Sequence, residues 1–355
     1  MRAVFDLDDT ISVHRNRDFP NAIPISATIE KMKVLKKDGW EIYIYSSRGQ
    51  NSCKGDLALI EKRNREQVEE WLEKYDVPYD RLLFGKPLGD VYIDDKGTNL
   101  NDFLQEQYEK LHGNSHASVY RAGKRVLKQS NDARKAADWY EEARKIGLHV
   151  PVVNSVVLDR IDIEYIEGEP GNQRKLCSCD LYQILSQIML MSLYKIESSF
   201  DMEGYLSLVK ERLGIAGWEN RFEELFNYFR KNEKEIKVNS TFSHGDLTLS
   251  NTIFTPSGIY LIDPSPRTEY STFLNDFAKL RFSLDGGEQL LHGGDRPPEY
   301  DARLSELSDV LFRNGWYRKV AAMEAVHWIR MLGYFKGEKA INLIWKKAKE
   351  LEAEL

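Results

Sequence analysis

Two aspartates near the amino terminus have a spacing that suits phosphoryl-transfer chemistry. Asp6 and Asp8 lie two residues apart after a short apolar run, so an extended strand end would point both carboxylates to the same side. Two like charges this close are unfavourable unless a cation or a phosphate group requires them. In a magnesium-assisted reaction, one carboxylate would attack phosphorus while the other protonates the leaving oxygen.

Further polar side chains follow the later strand candidates of the same region. In chain order, the candidate phosphate-binding and metal-binding residues are Ser46 and Arg48, then Lys86, then Asp94 and Asp95. Ligands of parallel sheets sit beyond the carboxyl ends of the strands, so we expect these side chains to share one crevice. The hydroxyl, ammonium and guanidinium groups would hold phosphate oxygens, and the carboxylates would hold Mg²⁺, which prefers oxygen ligands.

A second candidate site occupies residues 242–263. His244, Asp246 and Asn251 form an H-x-D-x-x-x-x-N motif, and Asp263 follows a short strand candidate. In phosphoryl transfer from ATP, one acid orients the acceptor hydroxyl, while an amide and another carboxylate hold magnesium. This spacing is typical of kinases. The sequence contains no G-x-x-x-x-G-K-[ST] motif, which excludes a P-loop kinase.

The elements around these motifs predict two domains. Strand and helix candidates alternate over the first 106 residues, which favours a parallel sheet flanked by helices. A β-rich run and then mostly helix follow. We therefore predict an α/β domain at 1–106 and an α+β bilobal domain at 107–355, with its small lobe at about 107–168 and its large lobe at about 169–355.

Composition narrows the class of protein. The 355 residues suit two domains, and a formal charge of −6 argues against a dedicated nucleic-acid-binding protein. Three cysteines are too few for a disulfide scaffold, and Cys177 and Cys179 form only a C-x-C pair. The amino terminus carries acids where a signal peptide needs an apolar core, and the weakly charged stretch at 181–194 is too short to span a bilayer. We expect a cytoplasmic protein with reduced cysteines.

The first site resembles the haloacid dehalogenase (HAD) superfamily of phosphatases. The resemblance rests on D-x-D-x-T, a strand-terminal serine, a lysine and an acidic pair in that order. It implies a Rossmannoid domain of the capless type, because little chain separates the motifs. It further implies that Asp6 is the nucleophile, that Asp8 is the general acid/base, and that Ser46 and Lys86 bind phosphate. Mg²⁺ would be bound by Asp94 and Asp95 together with Asp6 and Asp8. The alternative interpretation is that Asp8 caps a helix and Asp94–Asp95 forms a turn.

The second site resembles the aminoglycoside phosphotransferase and choline kinase group of small-molecule kinases. The motif reads His-Gly-Asp, Asp263 is followed by Pro-Ser, and Thr248 stands where protein kinases carry a lysine. The resemblance implies a protein-kinase-like fold with these roles: Asp246 as base, Asn251 and Asp263 at Mg²⁺, and His244 and Asp276 as supporting residues. For ATP it implies Ser118, Lys128, Glu164 and Ile166, with Glu141 or Glu142 as the acidic partner of Lys128.

Taken together, the motifs predict a bifunctional enzyme. One activity is Mg²⁺-dependent hydrolysis of a phosphomonoester through an aspartyl-phosphate, and the other is ATP-dependent phosphorylation of a sugar, polyol or amino alcohol, as in surface polysaccharide synthesis. One rival is a nucleic-acid end-processing kinase and phosphatase, against which the acidic charge argues. The other rival is a phosphatase controlled by a non-catalytic, nucleotide-binding kinase-like domain. The acceptor and the oligomeric state stay open.

Overall fold

The chain was analysed as a computed structural model, which describes residues 1–14, 18–87, 97, 108–111, 118–157, 160–196, 200–218, 220–265 and 270–355. These residues form two compact units. The first comprises Met1–Ala133 and Asn154–Tyr165, and the second comprises Arg134–Val153 and Ile166–Leu355. Buried apolar side chains provide the core of each unit.

The first unit begins with alternating strands and helices. In chain order these are β1 (Arg2–Phe5), β2 (Ser12–Val13), β3 (Ile23–Pro24), α1 (Ser26–Lys37), β4 (Glu41–Ser46), α2 (Leu57–Lys74) and β5 (Arg81–Phe84). Strands β1, β4 and β5 form a parallel sheet with β4 in the centre. The alternation predicted from the sequence is therefore present. Residues 91–93, which the sequence also predicts to form a strand before Asp94 and Asp95, lie outside the described residues.

The parallel arrangement brings three chain segments to one sheet edge. Phe5 pairs with Ile44, and Ser46 pairs with Phe84, so the residues that follow β1, β4 and β5 emerge side by side. Ile42 and Ile44 are fully buried, which fixes the face of β4 that packs on the core. This edge is where the sequence placed its first candidate site.

The same unit contains a five-stranded sheet. Its strands are β6 (Tyr108–Leu111), β7 (Ser118–Ala122), β8 (Arg125–Gln129), β9 (Val153–Val157) and β10 (Arg160–Glu164), in the order β6-β7-β8-β10-β9. The Tyr120 hydroxyl donates to the Asp38 carbonyl at 2.7 Å, and the Tyr120 ring meets the Trp40 ring edge-on. The described part of the first unit is thus mixed α/β with small sheets that share one core. The domain boundary near residue 106 stays a prediction, because 98–107 lie outside the description.

The second unit is mostly helical. Its elements are α3 (Ala133–Lys145), β11 (Glu169–Pro170), α4 (Ser178–Ser192), α5 (Met202–Ile215), α6 (Glu223–Val238), β12 (Thr252–Thr255), β13 (Gly258–Leu261), α7 (Phe273–Leu284), α8 (Gly287–Leu291), α9 (Glu299–Arg313), α10 (Tyr317–Arg330) and α11 (Glu338–Glu352). Strand β12 pairs with β11 and β13 in a small antiparallel sheet. A 3₁₀ turn at Leu249–Asn251 leads into β12.

Helix α7 is the central helix of the second unit. All twelve of its residues are buried, and it packs against α4, α9 and α10. Three of those residues are ionisable, namely Asp276, Lys279 and Arg281. A buried charge is costly unless it has a partner, and Arg281 Nε lies 2.8 Å from Glu324 Oε2 of α10. The partners of the other two lie in the candidate site described below.

The cysteines differ from the sequence prediction at one point. The sequence predicted reduced thiols, but Cys177 and Cys179 are joined by a disulfide at the start of α4, where the first helical turn brings their Cα atoms within 5.4 Å. Cys53 is a buried thiol. Among the helices of the described ranges, none combines the length and the apolar character needed to cross a bilayer.

Candidate functional site

His244 anchors the loop that carries the second motif. Its side chain is fully buried, its Nε2 lies 2.9 Å from the Ile262 carbonyl, and its Nδ1 accepts the Asp246 N–H at 3.3 Å. One nitrogen therefore donates and the other accepts, which is the pattern of a neutral imidazole. Burial lowers the pKa of His244 to about 4, against the opposing effect of Asp246. The ring thus acts as a neutral structural support.

Asp276 of α7 holds the backbone of the same loop. Its two carboxylate oxygens accept the His244 and Gly245 N–H groups, each at 2.8 Å. Burial raises the pKa of Asp276 to about 7, although both N–H groups oppose that shift. Gly245 has a φ of +79°, and a Cβ there would collide with the Ser265 carbonyl oxygen, so this close approach requires glycine. His244 and Asp276, the two residues predicted to support the loop, thus both bond to it, and their role in a reaction stays a prediction.

Asp246 lies between a buried cation and an amide. Lys279 Nζ is 2.8 Å from Asp246 Oδ1, and Asn251 Nδ2 donates to the Asp246 carbonyl at 2.7 Å and to Oδ2 at 3.2 Å. Burial would raise the pKa of the Asp246 carboxyl, but the Lys279 ammonium, with help from the Arg330 charge, outweighs burial and lowers that pKa. Since the side chain keeps 39% of its exposure, an ionised carboxylate here remains open to a ligand.

Asp263 follows the β12–β13 hairpin in a strained backbone conformation. Its φ is +56°, which is uncommon for a residue other than glycine. The Asp263 N–H donates to the buried Tyr140 hydroxyl of α3 at 2.9 Å, and the Ile262 N–H donates to the Asn251 carbonyl at 3.0 Å. The second bond connects the residue before Asp263 to Asn251. Asp263 and Asn251 are the two residues predicted to bind magnesium.

At the edge of the parallel sheet, the first two aspartates each meet a cation. Lys86 Nζ lies 2.8 Å from Asp6 Oδ2. The buried Arg48 guanidinium donates two hydrogen bonds to the Asp8 carboxylate, from Nη2 to Oδ1 at 2.7 Å and from Nε to Oδ2 at 2.9 Å. The Ser46 hydroxyl accepts the Arg48 N–H at 3.1 Å. All five described members of the predicted set therefore come together.

Two further observations bear on this first site. A turn and then strand β2 follow Asp8, so Asp8 does not cap a helix as the alternative interpretation required. His14 Nε2 lies 4.0 Å from Asp8 Oδ1, and the Arg48 guanidinium stacks on the Phe19 ring at 4.4 Å. Asp94 and Asp95, the predicted metal ligands of the fourth motif, lie outside the described residues.

The predicted ATP-binding residues are divided between the two units. In the first unit Ser118 begins β7, Lys128 of β8 pairs with Val119 and Ile161, and Glu164 ends β10. Ile166 belongs to the second unit, as do Glu141 and Glu142. Glu142 lies 3.0 Å from Lys145 on the exposed face of α3. Which glutamate pairs with Lys128 stays a prediction.

Sequence reasoning missed Lys279 and the role of Tyr140. Lys279 follows Asp276 by three residues, so both side chains lie on the same face of α7. A lysine among the apolar residues of 273–284, one turn after an aspartate, was the available signal, because a buried ammonium needs an acidic partner. Tyr140 gave no comparable signal, since a buried aromatic on a helix is ordinary core.

Comparison with known proteins identifies the fold. No family model and no curated protein matches the chain. A candidate fructosamine-3-kinase from Thermobifida fusca is 14% identical, with a TM-score of 0.50 over 70% of this chain and 93% of that chain. A choline/ethanolamine kinase family protein from Mesorhizobium loti is 15% identical, with a TM-score of 0.47 over 69% and 87%. A target protein from Vibrio cholerae is 31% identical over 29% of this chain and 86% of its own, with a TM-score of 0.28.

The first of these similarities confirms part of the predicted architecture. The chain has a kinase-like bilobal fold over about 70% of its length. At this level of sequence identity, the similarity shows the fold and does not show an activity or a substrate. The HAD-like assignment of the amino-terminal region stays a prediction that depends on its motifs and on the sheet-edge geometry.

Proposed function

We propose that the chain is an ATP-dependent kinase that phosphorylates a hydroxyl of a small molecule. The observation that carries the proposal is the contact of Asp246 with both Asn251 of the same loop and Lys279 of α7. An ionised acid, an amide and a second acid after a hairpin are the groups that phosphoryl transfer from ATP requires. The kinase-like fold supports the proposal, and the names of the two kinase relatives favour a sugar derivative or an amino alcohol as acceptor.

Asp246 would act as the general base. Its carboxylate, kept ionised by Lys279, would accept the proton of the acceptor hydroxyl as that oxygen attacks the γ-phosphorus. His244 and Asp276 would hold the backbone so that the carboxylate keeps this position. Because the base is already deprotonated at neutral pH, no separate activation step is needed.

The donor set beside Asp246 suits magnesium. Asn251 directs its Nδ2 toward Asp246, which leaves Oδ1 as the atom available to a cation, and Asp263 contributes a carboxylate. Oxygen donors of this kind are what Mg²⁺ prefers. Bound there with ATP, magnesium would neutralise charge on the transferring phosphoryl group. Ser118, Lys128, Glu164 and Ile166, with Glu142, remain our candidates for binding the nucleotide.

We further propose a phosphatase activity at the sheet edge. The ion pairs of Lys86 with Asp6 and of Arg48 with Asp8 favour it, since both cations could also bind the oxygens of a substrate phosphate. Asp6 would attack phosphorus, forming an aspartyl-phosphate as the leaving alcohol takes a proton from Asp8. Asp8 would then take a proton from the water that cleaves the aspartyl-phosphate. Asp6, Asp8, Asp94 and Asp95 would hold magnesium, which would neutralise charge on the substrate phosphate.

One experiment tests both proposals. The Asp6→Asn protein would be incubated with Mg-ATP and a pool of sugars, polyols, sugar acids, amino alcohols and nucleosides, and new phosphoesters would be identified by mass spectrometry. We expect one class of compound to gain a phosphate, and wild-type protein added afterwards to remove a phosphate from that product or a related one.

The rivals give different results when short oligonucleotides are added to the pool and the phosphatase rate of wild-type protein is measured with and without ATP. A nucleic-acid end-processing enzyme would phosphorylate short oligonucleotides in a salt-sensitive manner and leave the pool unchanged. A non-catalytic nucleotide sensor would bind ATP, transfer nothing, and alter phosphatase rates when ATP is added. Either result would replace the small-molecule kinase proposal.

A further inference from the structure

Within the second unit, a cleft opens beside the loop that carries His244 and Asp246. Counted out to its opening onto solvent, the space measures about 460 Å³, so the cleft is a shallow one, and Gly245 and Ser265 form one of its walls. Helices α5, α7 and α10 supply the other walls through Tyr205, Asn275 and Arg330. Asp246 follows Gly245 directly in the chain, so an acceptor held in this cleft would lie close to the loop that carries the proposed base. The chemistry of these walls therefore bears on which acceptor the enzyme uses.

Arg330 gives the cleft a positive charge. It ends α10 and is partly exposed, and within the described ranges it forms no ion pair. A guanidinium presents paired donors that match a carboxylate or a phosphate. Its two-nitrogen face is thus available to a ligand.

Two buried polar atoms in the same cleft also lack a protein partner. The Tyr205 side chain is 3% exposed and Asn275 is 6% exposed, yet the Tyr205 hydroxyl and Asn275 Oδ1 make no hydrogen bond with the described residues. Buried polar groups are costly without a partner, and such groups in a cleft often mark where a ligand binds. A hydroxyl that can donate and an amide oxygen that accepts would suit an acceptor carrying both oxyanion and hydroxyl groups.

We infer that the acceptor bears an anionic group, a carboxylate or a phosphate, which Arg330 binds while a hydroxyl of the same molecule faces Asp246. This inference rests on the proposed kinase function and narrows its substrate class. None of the described residues that line the cleft carries a carboxylate. An ammonium group that lies against Arg330 would therefore meet a like charge, and no lining residue offers it a carboxylate. The cleft favours sugar acids and sugar phosphates over amino alcohols.

The experiment compares ligands that differ mainly in charge. The Asp6→Asn protein, saturated with Mg-ADP, would be titrated with gluconate and sorbitol, with glucose 6-phosphate and glucose, and with glucosamine, and binding would be followed by ligand NMR line broadening. We expect at least one anion to bind ten-fold or more tightly than its neutral partner and than glucosamine. The two anions show whether a carboxylate or a phosphate is preferred.

Variants assign the effect to the cleft. In the same background, Arg330→Met should weaken binding of the preferred anion at least ten-fold, while Arg330→Lys should retain part of it. Tyr205→Phe, which removes only the hydroxyl, should weaken binding a few-fold. Arg318→Met, an exposed arginine on the same helix, is the matched control and should change nothing. The affinity for Mg-ADP should stay constant in all four variants.

Two kinds of failure are distinguishable. The inference is overturned when neutral or amine ligands bind as tightly as the anions, when no anion binds, or when Arg330→Met leaves the anion affinity unchanged. The proposed kinase function fails separately, when Asp263→Asn leaves Mg-ATP affinity unchanged and no compound of the pool is phosphorylated. Phosphorylation of a neutral or cationic acceptor would leave the kinase standing and remove the inference.

Discussion

The two candidate sites both pair an aspartate with a lysine, but the two lysines lie on different kinds of element. Asp6 meets Lys86, which follows a strand of the parallel sheet, and the two side chains are 30% and 17% exposed. Asp246 meets Lys279, which lies on a helix buried on every side and is itself 7% exposed. Both N–O distances are 2.8 Å. The same pair therefore forms at an open sheet edge in one unit and on the central helix in the other.

This difference separates two functions for a neighbouring cation. At the sheet edge, Lys86 is accessible enough to exchange its partner for a substrate phosphate, so it suits ligand binding. On α7, Lys279 is enclosed by the core and stays with Asp246, so it suits control of the charge on the base. Mutations that remove each group should therefore affect different steps.

The largest expected effects come from the two aspartates themselves. Asp246→Asn should lower phosphoryl transfer from ATP by about 10³-fold, since the amide cannot accept the proton, and should leave hydrolysis of p-nitrophenyl phosphate unchanged. Asp6→Asn should do the converse, by at least about 10³-fold, because it removes the attacking oxygen. Steady-state rates of both reactions in both variants provide the measurement. A loss of both activities in either variant would show that the sites are coupled.

The second prediction concerns Lys279. Because burial raises the pKa of Asp246 and Lys279 opposes that rise, Lys279→Met should raise the pKa of the base. The protonated base is inactive, so kinase rates should fall about 10- to 100-fold at pH 6 and less at pH 8. A pH profile of kcat measures this, and Lys279→Arg should restore most of the low-pH rate. An equal loss at every pH would assign Lys279 a purely structural role.

Arg48 offers a third test, at the other site. If Asp8 is the general acid of a phosphatase, as proposed, its two hydrogen bonds from Arg48 predict that Arg48→Met lowers kcat about 10- to 100-fold with a smaller change in KM, because Asp8 loses its position. Arg48→Lys should not rescue kcat, since an ammonium cannot make both bonds. If KM rises while kcat is kept, then Arg48 binds the substrate phosphate directly, as the sequence pattern first indicated.

The sequence predicted the sheet-edge site better than it predicted the surroundings of Asp246. At the sheet edge the site residues follow strands that alternate with helices, and parallel pairing alone brings Asp6, Ser46 and Lys86 together. The motif around Asp246 is local in the chain, so its loop was also predictable. Lys279 was missed because its position depends on the packing of α7, which no local pattern specifies.

The cleft beside the loop was beyond sequence reasoning for the same physical reason. Its walls come from α5, α7 and α10, which are far apart in the chain and meet only through tertiary packing. Arg330 and Tyr205 stand in helices where, in sequence, a terminal arginine and an aromatic are ordinary residues. Their significance follows from what they share, a cleft next to Asp246 in which neither has a described partner for its polar atoms.

The smallest expected effect is on stability, and it distinguishes the Arg281–Glu324 pair of the core from the Lys279–Asp246 pair of the candidate site. Arg281 lies two residues after Lys279 on α7, but it meets Glu324 of α10 in the core. Burial raises the pKa of Glu324 to about 7, although Arg281 opposes the shift. Between the unfolded value near 4.5 and 7, the folded state therefore binds more protons than the unfolded state, so this group's contribution to stability falls as pH rises.

Glu324→Gln removes that titration while keeping the shape of the side chain. Relative to wild type, the free energy of unfolding of the variant should rise by about 1–2 kcal/mol between pH 5 and pH 8, measured by urea denaturation at each pH. Both activities should stay within two-fold of wild type. The opposite slope, with the variant losing stability as pH rises, would mean that Arg281 keeps Glu324 ionised. The pairs on α7 would then differ only in which of them faces a ligand, and not in how burial acts on the acid.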